Sequence, residues 1–301
     1  MSSGPQNTSA AKLPLASADA GPEAWVIAPE LHLGFAGRLR EVWRYRRILF
    51  FFAFKSIQTL YANTHLGIGW LILRPLAPVF VGTLVFGGLM AAPSEGTPYF
   101  LFFLVGSIIW GFFAEPLMRG SRGLEVNRQL LTKLYLPRVI LPAGQLAAGL
   151  VEPLVLTGVF AVAVWYYRAT TGIWYGVDPG RVPLAILAAL LAVLFAFAGS
   201  LWTSVWQARA RDLRYMLGYA LSFWFFLTPV VYPRSMMPAH LQWIALLNPM
   251  TGPVEAFRWS LLGIGSPSWT ALAISSGAIG VVLALGLWHF TAAESGTVDK
   301  L

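Results

Sequence analysis

The sequence predicts an all-α, polytopic membrane protein. Three observations predict it. Of 301 residues, 57% are hydrophobic and only 11% are charged, whereas a soluble domain is about a quarter charged. Apolar stretches recur along the chain at lengths near the roughly 20 residues that a helix needs to cross about 30 Å of hydrocarbon. The basic residues fall in blocks between those stretches, which in a membrane protein reports orientation.

Taken in order, residues 1–30 (MSSGPQNTSAAKLPLASADAGPEAWVIAPE) hold one lysine and no long apolar run. They read as a flexible cytoplasmic tail. Residues 31–65 contain Arg38, Arg40, Arg44, Arg46 and Arg47, then the run Ile48–Phe54, then a half-polar stretch from Lys55 to His65. Seven apolar residues make about 10 Å of helix and cannot span. A basic, aromatic-rich segment of this kind is expected to lie in the interface plane, with its arginines near anionic headgroups.

Six spans are then expected, at about Leu66–Met90, Tyr99–Leu117, Val139–Tyr166, Val182–Trp206, Met216–Tyr232 and Trp269–Phe290. The third is long and holds Pro142 and Pro153, so a tilt or a kink is expected there. The stretch 233–268 breaks the pattern. Its apolar pieces, Leu241–Leu247 and Val254–Ile264, flank Asn248-Pro249 and Gly252-Pro253. Proline ends a helix and drives the preceding residue out of the helical region. The expected form is a re-entrant pair of short outer helices at about 233–264, before the last span. Broken backbone at membrane depth needs protein or a water-filled cavity over it, which points to a transport pathway or its gate.

Sidedness follows from the 21 basic residues. Residues 1–65 hold seven. The loop after the second span holds Arg119, Arg122, Arg128, Lys133 and Arg138. The loop after the fourth holds Arg209, Arg211 and Arg214, and Lys300 lies at the end. Only Arg168, Arg181, Arg234 and Arg258 fall on the other side, and Arg74 lies within the first span. Both ends of the chain are therefore expected in the cytoplasm, with residues 292–301 as a cytoplasmic C-terminus. The net charge of +8 is accounted for by this asymmetry, so nucleic acid is not an expected partner.

The usual chemical signatures are missing. With no cysteine, disulfides, zinc thiolates and thiol nucleophiles are excluded. Of the four lysines only Lys55 precedes a serine, and Phe54 stands before it, so no Walker phosphate loop is present. His32, His65, His240 and His289 show no metal-ligand pairing. There is no Gly-x-Ser-x-Gly elbow, and Asp19, Asp178, Asp212 and Asp299 form no Asp-x-Asp pair. No catalytic or metal-binding residues are assigned, although a membrane-bound glycosyl or acyl transferase stays open as an alternative.

Charges inside spans are functional candidates by default. They are Arg74, Glu115 and Glu152; Arg74 is expected to snorkel or to pair with Glu115. Aromatic residues crowd the span ends, as an interfacial belt requires. Among them Trp70, Tyr219, Phe223, Trp224, Phe226 and Tyr232 are candidates for a pathway, because a flat apolar ring lets sugar rings slide past without a deep binding well.

This layout resembles the membrane subunit of type 2 ABC exporters for lipid-linked polysaccharides (O-antigen, capsule, wall teichoic acid). The resemblance rests on THLGIGWLILRPL (Thr64–Leu76), PYFLFFLVGSIIWGFF (Pro98–Phe113) and NRQLLTKLYLPRVILP (Asn127–Pro142). It rests also on ARARDLRY (Ala208–Tyr215), TPVVYP (Thr228–Pro233), LNPMT (Leu247–Thr251) and AFR (Ala256–Arg258). Together these cover about residues 30–300. Arg74 departs from the family, which usually has an uncharged polar residue there, and the tail is longer than usual.

The resemblance implies a homodimer in a bacterial inner membrane, with the pathway between the copies and two ATP-binding ABC subunits beneath. ATP and Mg would sit on those partner chains, and this chain would carry no cofactor. The implied cargo is a lipid-linked polysaccharide, most plausibly O-antigen; a small lipophilic drug or an ion is the alternative within the same fold class. A coupling helix at about 124–134 is implied, with Glu125, Arg128 and Lys133 as charged contacts to the ATPase and Leu130, Leu131 and Leu134 as apolar anchors. Gate helices are implied around Asn248 and Pro249, with Glu255 and Arg258 three residues apart on the second, stabilising it or capping the gate.

The sidedness can be tested directly. With Ser235 or Ser266 changed to cysteine, an impermeant thiol reagent is expected to label the chain from outside the cell; labelling only from within would overturn the topology.

Overall fold

The computed structural model describes residues 44–61, 65, 67, 69–127, 137–210 and 212–296. The expected tail 1–30 lies outside these residues, as do Arg128, Leu130, Leu131, Lys133 and Leu134 of the expected coupling helix.

The described residues are all-helical. In order they form α1 (Arg46–Tyr61), α2 (Gly69–Gly82), α3 (Tyr99–Gly120), α4 (Gly123–Val126), α5 (Ile140–Gly149) and α6 (Val151–Thr171). Then follow α7 (Val182–Arg209), α8 (Leu213–Leu227), α9 (Gln242–Leu247), α10 (Thr251–Leu262) and α11 (Trp269–Gly296). Among the described residues, five apolar runs are long enough to cross a membrane: Gly69–Leu89, Tyr99–Gly120, Ile140–Thr171, Pro179–Ala208 and Trp269–Ala293. The sixth apolar helix, α8, has 15 residues and is about 22 Å long. The chain is a multi-pass membrane protein.

α3 is the axis of the fold. It is apolar all round and buries residues along its whole length, as a helix surrounded by other helices should. It packs on α5, α6, α7 and α10, while α7 in turn carries α10 and α11. In lipid there is no hydrophobic gain from joining two apolar helices, so close contact must hold them. Glycine against proline supplies that contact. A Cβ at Gly149 would lie 2.6 Å from the Cα of Pro116, and one at Gly123 equally close to that of Pro142. Rings then tie α3 to α7 and α8, with Phe113 stacked on Phe195 at 4.8 Å and Trp110 edge-on to Phe225 at 5.6 Å.

α1 packs on α5 through Phe52, which meets Ile140 and Leu141; Ala53 is buried beside it, while Phe50, Phe51 and Phe54 are exposed. α2 is the least covered long helix: Ile72, Leu73, Phe80, Val81 and Leu84 all face outward. Its last turns open into a π-helix over Thr83–Leu89, and the Met90 N–H reaches back five residues to the Val85 carbonyl at 2.9 Å.

Two expected spans differ in detail. The third breaks at Leu150, between α5 and α6. Pro153 in the first turn of α6 has no N–H to give to the Gly149 carbonyl, and its ring excludes that carbonyl from the helix. The fifth is helical only to Leu227. Thr228 adopts φ −93°, ψ 140°, the extended form imposed on a residue that precedes a proline, here Pro229. Residues 228–232, expected as the end of a span, are therefore unwound.

Candidate functional site

Unwinding α8 at Thr228 leaves carbonyl groups that no helical N–H can reach. The structure satisfies them from two other helices. Arg258 on α10 donates Nη2 to the carbonyls of Pro229 (3.0 Å) and Val230 (2.9 Å). Tyr99, at the start of α3, donates its hydroxyl to the Val231 carbonyl at 2.6 Å. Arg258 is 5% exposed, and its guanidinium carbon lies 3.9 Å above the ring of Phe102. A buried cation normally needs a carboxylate beside it. Here carbonyl dipoles and a ring face hold it directly, with Glu95 and Glu255 acting on it through space. Gly106 makes the room: a Cβ there would stand 2.8 Å from the Val230 oxygen and 3.0 Å from Arg258 Nη2.

Asn248 forms a second lock between the same elements. Its Nδ2 donates to the Thr228 hydroxyl (2.9 Å), while its Oδ1 accepts from Trp224 Nε1 (3.0 Å) and from the Met250 N–H (3.0 Å). The last bond closes a turn that launches α10, and the extended backbone of Asn248 (ψ 118°) follows from Pro249 behind it. The indole of Trp224 is fixed from its other side by Phe113 and Phe195, at 5.4 and 5.7 Å between centroids. α10 itself lies tight on α11, where a Cβ at Gly252 would come within 2.7 Å of the Leu272 Cα.

Three contacts rim this junction. Arg234 meets Glu255 at 3.6 Å, Ser235 meets Glu95 at 3.4 Å, and Arg181 lies 4.4 Å over the ring of Trp259. Glu255 and Arg258, three residues apart on one helix, thus turn to different partners. Gly263, in the left-handed conformation (φ 70°), ends α10 just beyond them.

A separate charge cluster joins α2, α3 and α6. Arg119 meets Glu152 at 2.9 Å and Glu115 at 3.7 Å, and Arg74 meets Glu152 at 3.3 Å. Two cations and two carboxylates give a neutral group, which is how charges survive inside a membrane. The expected partner of Arg74 was Glu115. In the structure Glu152, buried on the first turn of α6, lies between the two arginines instead.

The remaining candidates divide. Tyr219, Phe223 and Phe226 are 70%, 73% and 55% exposed, and their spacing of four and three residues puts them on one face of α8. Trp70 on α2 is 39% exposed. Trp224 belongs to the Asn248 lock, and the Tyr232 hydroxyl donates to the Phe226 carbonyl at 2.9 Å. Glu125 lies on the four-residue α4. The expected coupling residues beyond it lie outside the described residues. Among the described residues no group of three His, Asp or Glu side chains is placed to hold a metal. Sequence reasoning missed Tyr99, Thr228, Arg181 and Arg234 as site residues. The only prior signal was that Tyr99 and Thr228 lie within the PYF and TPVVYP motifs.

A membrane-embedded bundle of helices around an interlocked, proline-broken segment defines a multi-pass transport domain. The chain belongs to the ABC-2 type transporter family, whose model matches residues 48–262. It is a permease, a transmembrane subunit with no ATPase domain in the matched region. It is similar to the O-antigen export system permease protein RfbA of Myxococcus xanthus, 26% identical over 223 residues, which are 73% of this chain and 82% of that protein. It is similar also to two permeases of that name from Klebsiella pneumoniae. One is 24% identical over 68% of this chain and 76% of its own length, the other 21% over 78% and 88%.

Replacing Asn248 by alanine leaves the Trp224 Nε1–H and the Met250 N–H without their acceptor. The expected cost is about 1–3 kcal/mol, read as a lower thermal unfolding midpoint of the purified protein, with Gln242→Ala on the neighbouring α9 as the unaffected control.

Proposed function

We propose that this chain is the permease of an ATP-driven exporter that moves a lipid-linked polysaccharide, O-antigen above all, from the cytoplasmic to the outer side of a bacterial inner membrane. The observation that carries the reading is the similarity, over most of both chains, to three permeases named for O-antigen export. It works as a homodimer on two ATP-binding ABC subunits, which hold the ATP and Mg. The ABC-2 membership calls for an ATPase partner; the twofold stoichiometry rests on the family resemblance.

The chain crosses the membrane six times, with both ends in the cytoplasm. The short α8 completes its crossing through the unwound 228–232. α1 lies in the cytoplasmic interface, and its exposed Phe50, Phe51 and Phe54 meet lipid. α9 and α10 form the re-entrant outer gate, held by Asn248, Pro249 and Arg258 and rimmed by Glu255. The cargo passes the open faces of α2 and α8, where Trp70, Tyr219, Phe223 and Phe226 offer ring faces. Trp224 and Tyr232 brace the gate from behind. The segment 124–134 docks on the ATPase through Glu125, Arg128 and Lys133, with Leu130, Leu131 and Leu134 as anchors.

Coupling is testable in the complex purified with its ATPase and in cells. Leu131→Asp or Arg128→Glu is expected to leave ATP hydrolysis running while surface polysaccharide disappears. Undiminished export by both variants would overturn the coupling assignment.

A further inference from the structure

The proposed function leaves one intramembrane charge without a task. Arg119 already meets both Glu152 and Glu115, so the buried carboxylate of Glu152 does not depend on a second cation. Arg74 nevertheless reaches it at 3.3 Å, from a side chain that remains 54% exposed. That carboxylate is its ion-pair partner. The rest of the guanidinium, with five N–H donors in all, opens onto the apolar outer face of α2 among Trp70, Leu73 and Ala77. Unmatched donors in such surroundings cost several kcal/mol each unless an acceptor arrives. Arg74 stands five residues beyond Gly69, about 7.5 Å along the helix. In the proposed topology that depth lies close under the headgroups of the cytoplasmic leaflet. Trp70, four residues earlier, shares its face.

We infer that Arg74 and Trp70 form a docking site for the phosphate or pyrophosphate, and the first sugar, of a polyprenyl-linked glycan. The inference rests on the proposed function. Arginine binds phosphate in bidentate fashion, and a tryptophan one turn away stacks a sugar ring against its face. Glu152 holds the guanidinium until an incoming anion takes its place. It also offsets the charge while the site is empty. The pairing sets the two parts of the cargo in order along the helix, phosphate at Arg74 and sugar toward the helix start.

The test uses the complete permease–ATPase complex in nanodiscs, titrated with polyprenyl pyrophosphate, polyprenol and phosphatidylglycerol. The parent complex is expected to prefer the pyrophosphate to polyprenol. R74Q should bind the pyrophosphate at least about tenfold more weakly, with polyprenol binding unchanged. E152Q frees the guanidinium and should bind the pyrophosphate as tightly as the parent or more tightly. A merely structural ion pair would make R74Q and E152Q weaken it alike, and that result overturns the site. If the parent discriminates and R74Q discriminates equally, Arg74 is not the dock while the polysaccharide reading stands. If the parent does not tell pyrophosphate from polyprenol, the polysaccharide reading fails and the site with it. If phosphatidylglycerol competes as well as the pyrophosphate, the site takes bulk lipid headgroups and the substrate assignment is overturned.

Discussion

A helix that ends in a buried place leaves backbone carbonyls with no partner of their own, and the rest of this structure follows from how that need is met. Pro229 forces the end of α8 open, and the carbonyls of Pro229, Val230 and Val231 turn inward. One guanidinium, on a helix 28 residues further along, and one phenol, 132 residues back, take them up. Three elements distant in sequence, the start of α3, the unwound end of α8 and α10, are thereby fixed as one unit. Asn248 repeats the device between α8 and the start of α10. Such bonds are worth more than their number suggests, since breaking one strands a buried polar partner rather than merely losing an attraction.

The rest of the protomer separates into parts that are locked and parts that are open. α3, α5, α6 and α7 approach through glycine and proline at distances that admit no added atom, and the charge cluster of Arg119, Glu152 and Glu115 closes the same helices at one end. Packed interiors of this kind switch between discrete arrangements rather than deform smoothly. α2 and the outward face of α8, by contrast, present aromatic and aliphatic side chains with few intramolecular contacts. A transporter needs both: a rigid body to carry force, and faces that a second copy, lipid or cargo can occupy. The π-helix at the end of α2 adds a local irregularity at the point where this open helix turns toward α3.

Much of this was legible in the sequence where the cause is local. Long apolar runs fix the helices, and Pro249 fixes the break before α10, because lengths and proline sterics act over a few residues; Pro229 was expected inside a span and unwinds it instead, while Pro253, expected at a break, sits in the first turn of α10. Asn248 and Arg258 stood out for the same reason, as a polar and a charged residue in an apolar, broken stretch. What they bind was not legible. The sequence suggested that Glu255 and Arg258 act together, three apart on a helix; in the structure Glu255 takes Arg234 and Arg258 takes carbonyls. Arg74 was expected to snorkel or to pair with Glu115 at similar depth; in the structure it meets Glu152, a choice made by how α2, α3 and α6 pack together. The spacing of Tyr219, Phe223, Trp224 and Phe226 shows that three share a face and Trp224 does not. Only packing tells which of the two faces is inside. The expected coupling helix falls mostly beyond the described residues.

The central claim is that Arg258 closes the unwound end of α8, and it can be measured at Val231, which is 3% exposed. The chain has no native cysteine, so Val231→Cys gives a single reporter for a small impermeant thiol reagent. With Arg258 intact the thiol is expected to stay unreactive; combined with Arg258→Met it is expected to label readily from outside. Equal protection of that cysteine with and without Arg258 would contradict the account.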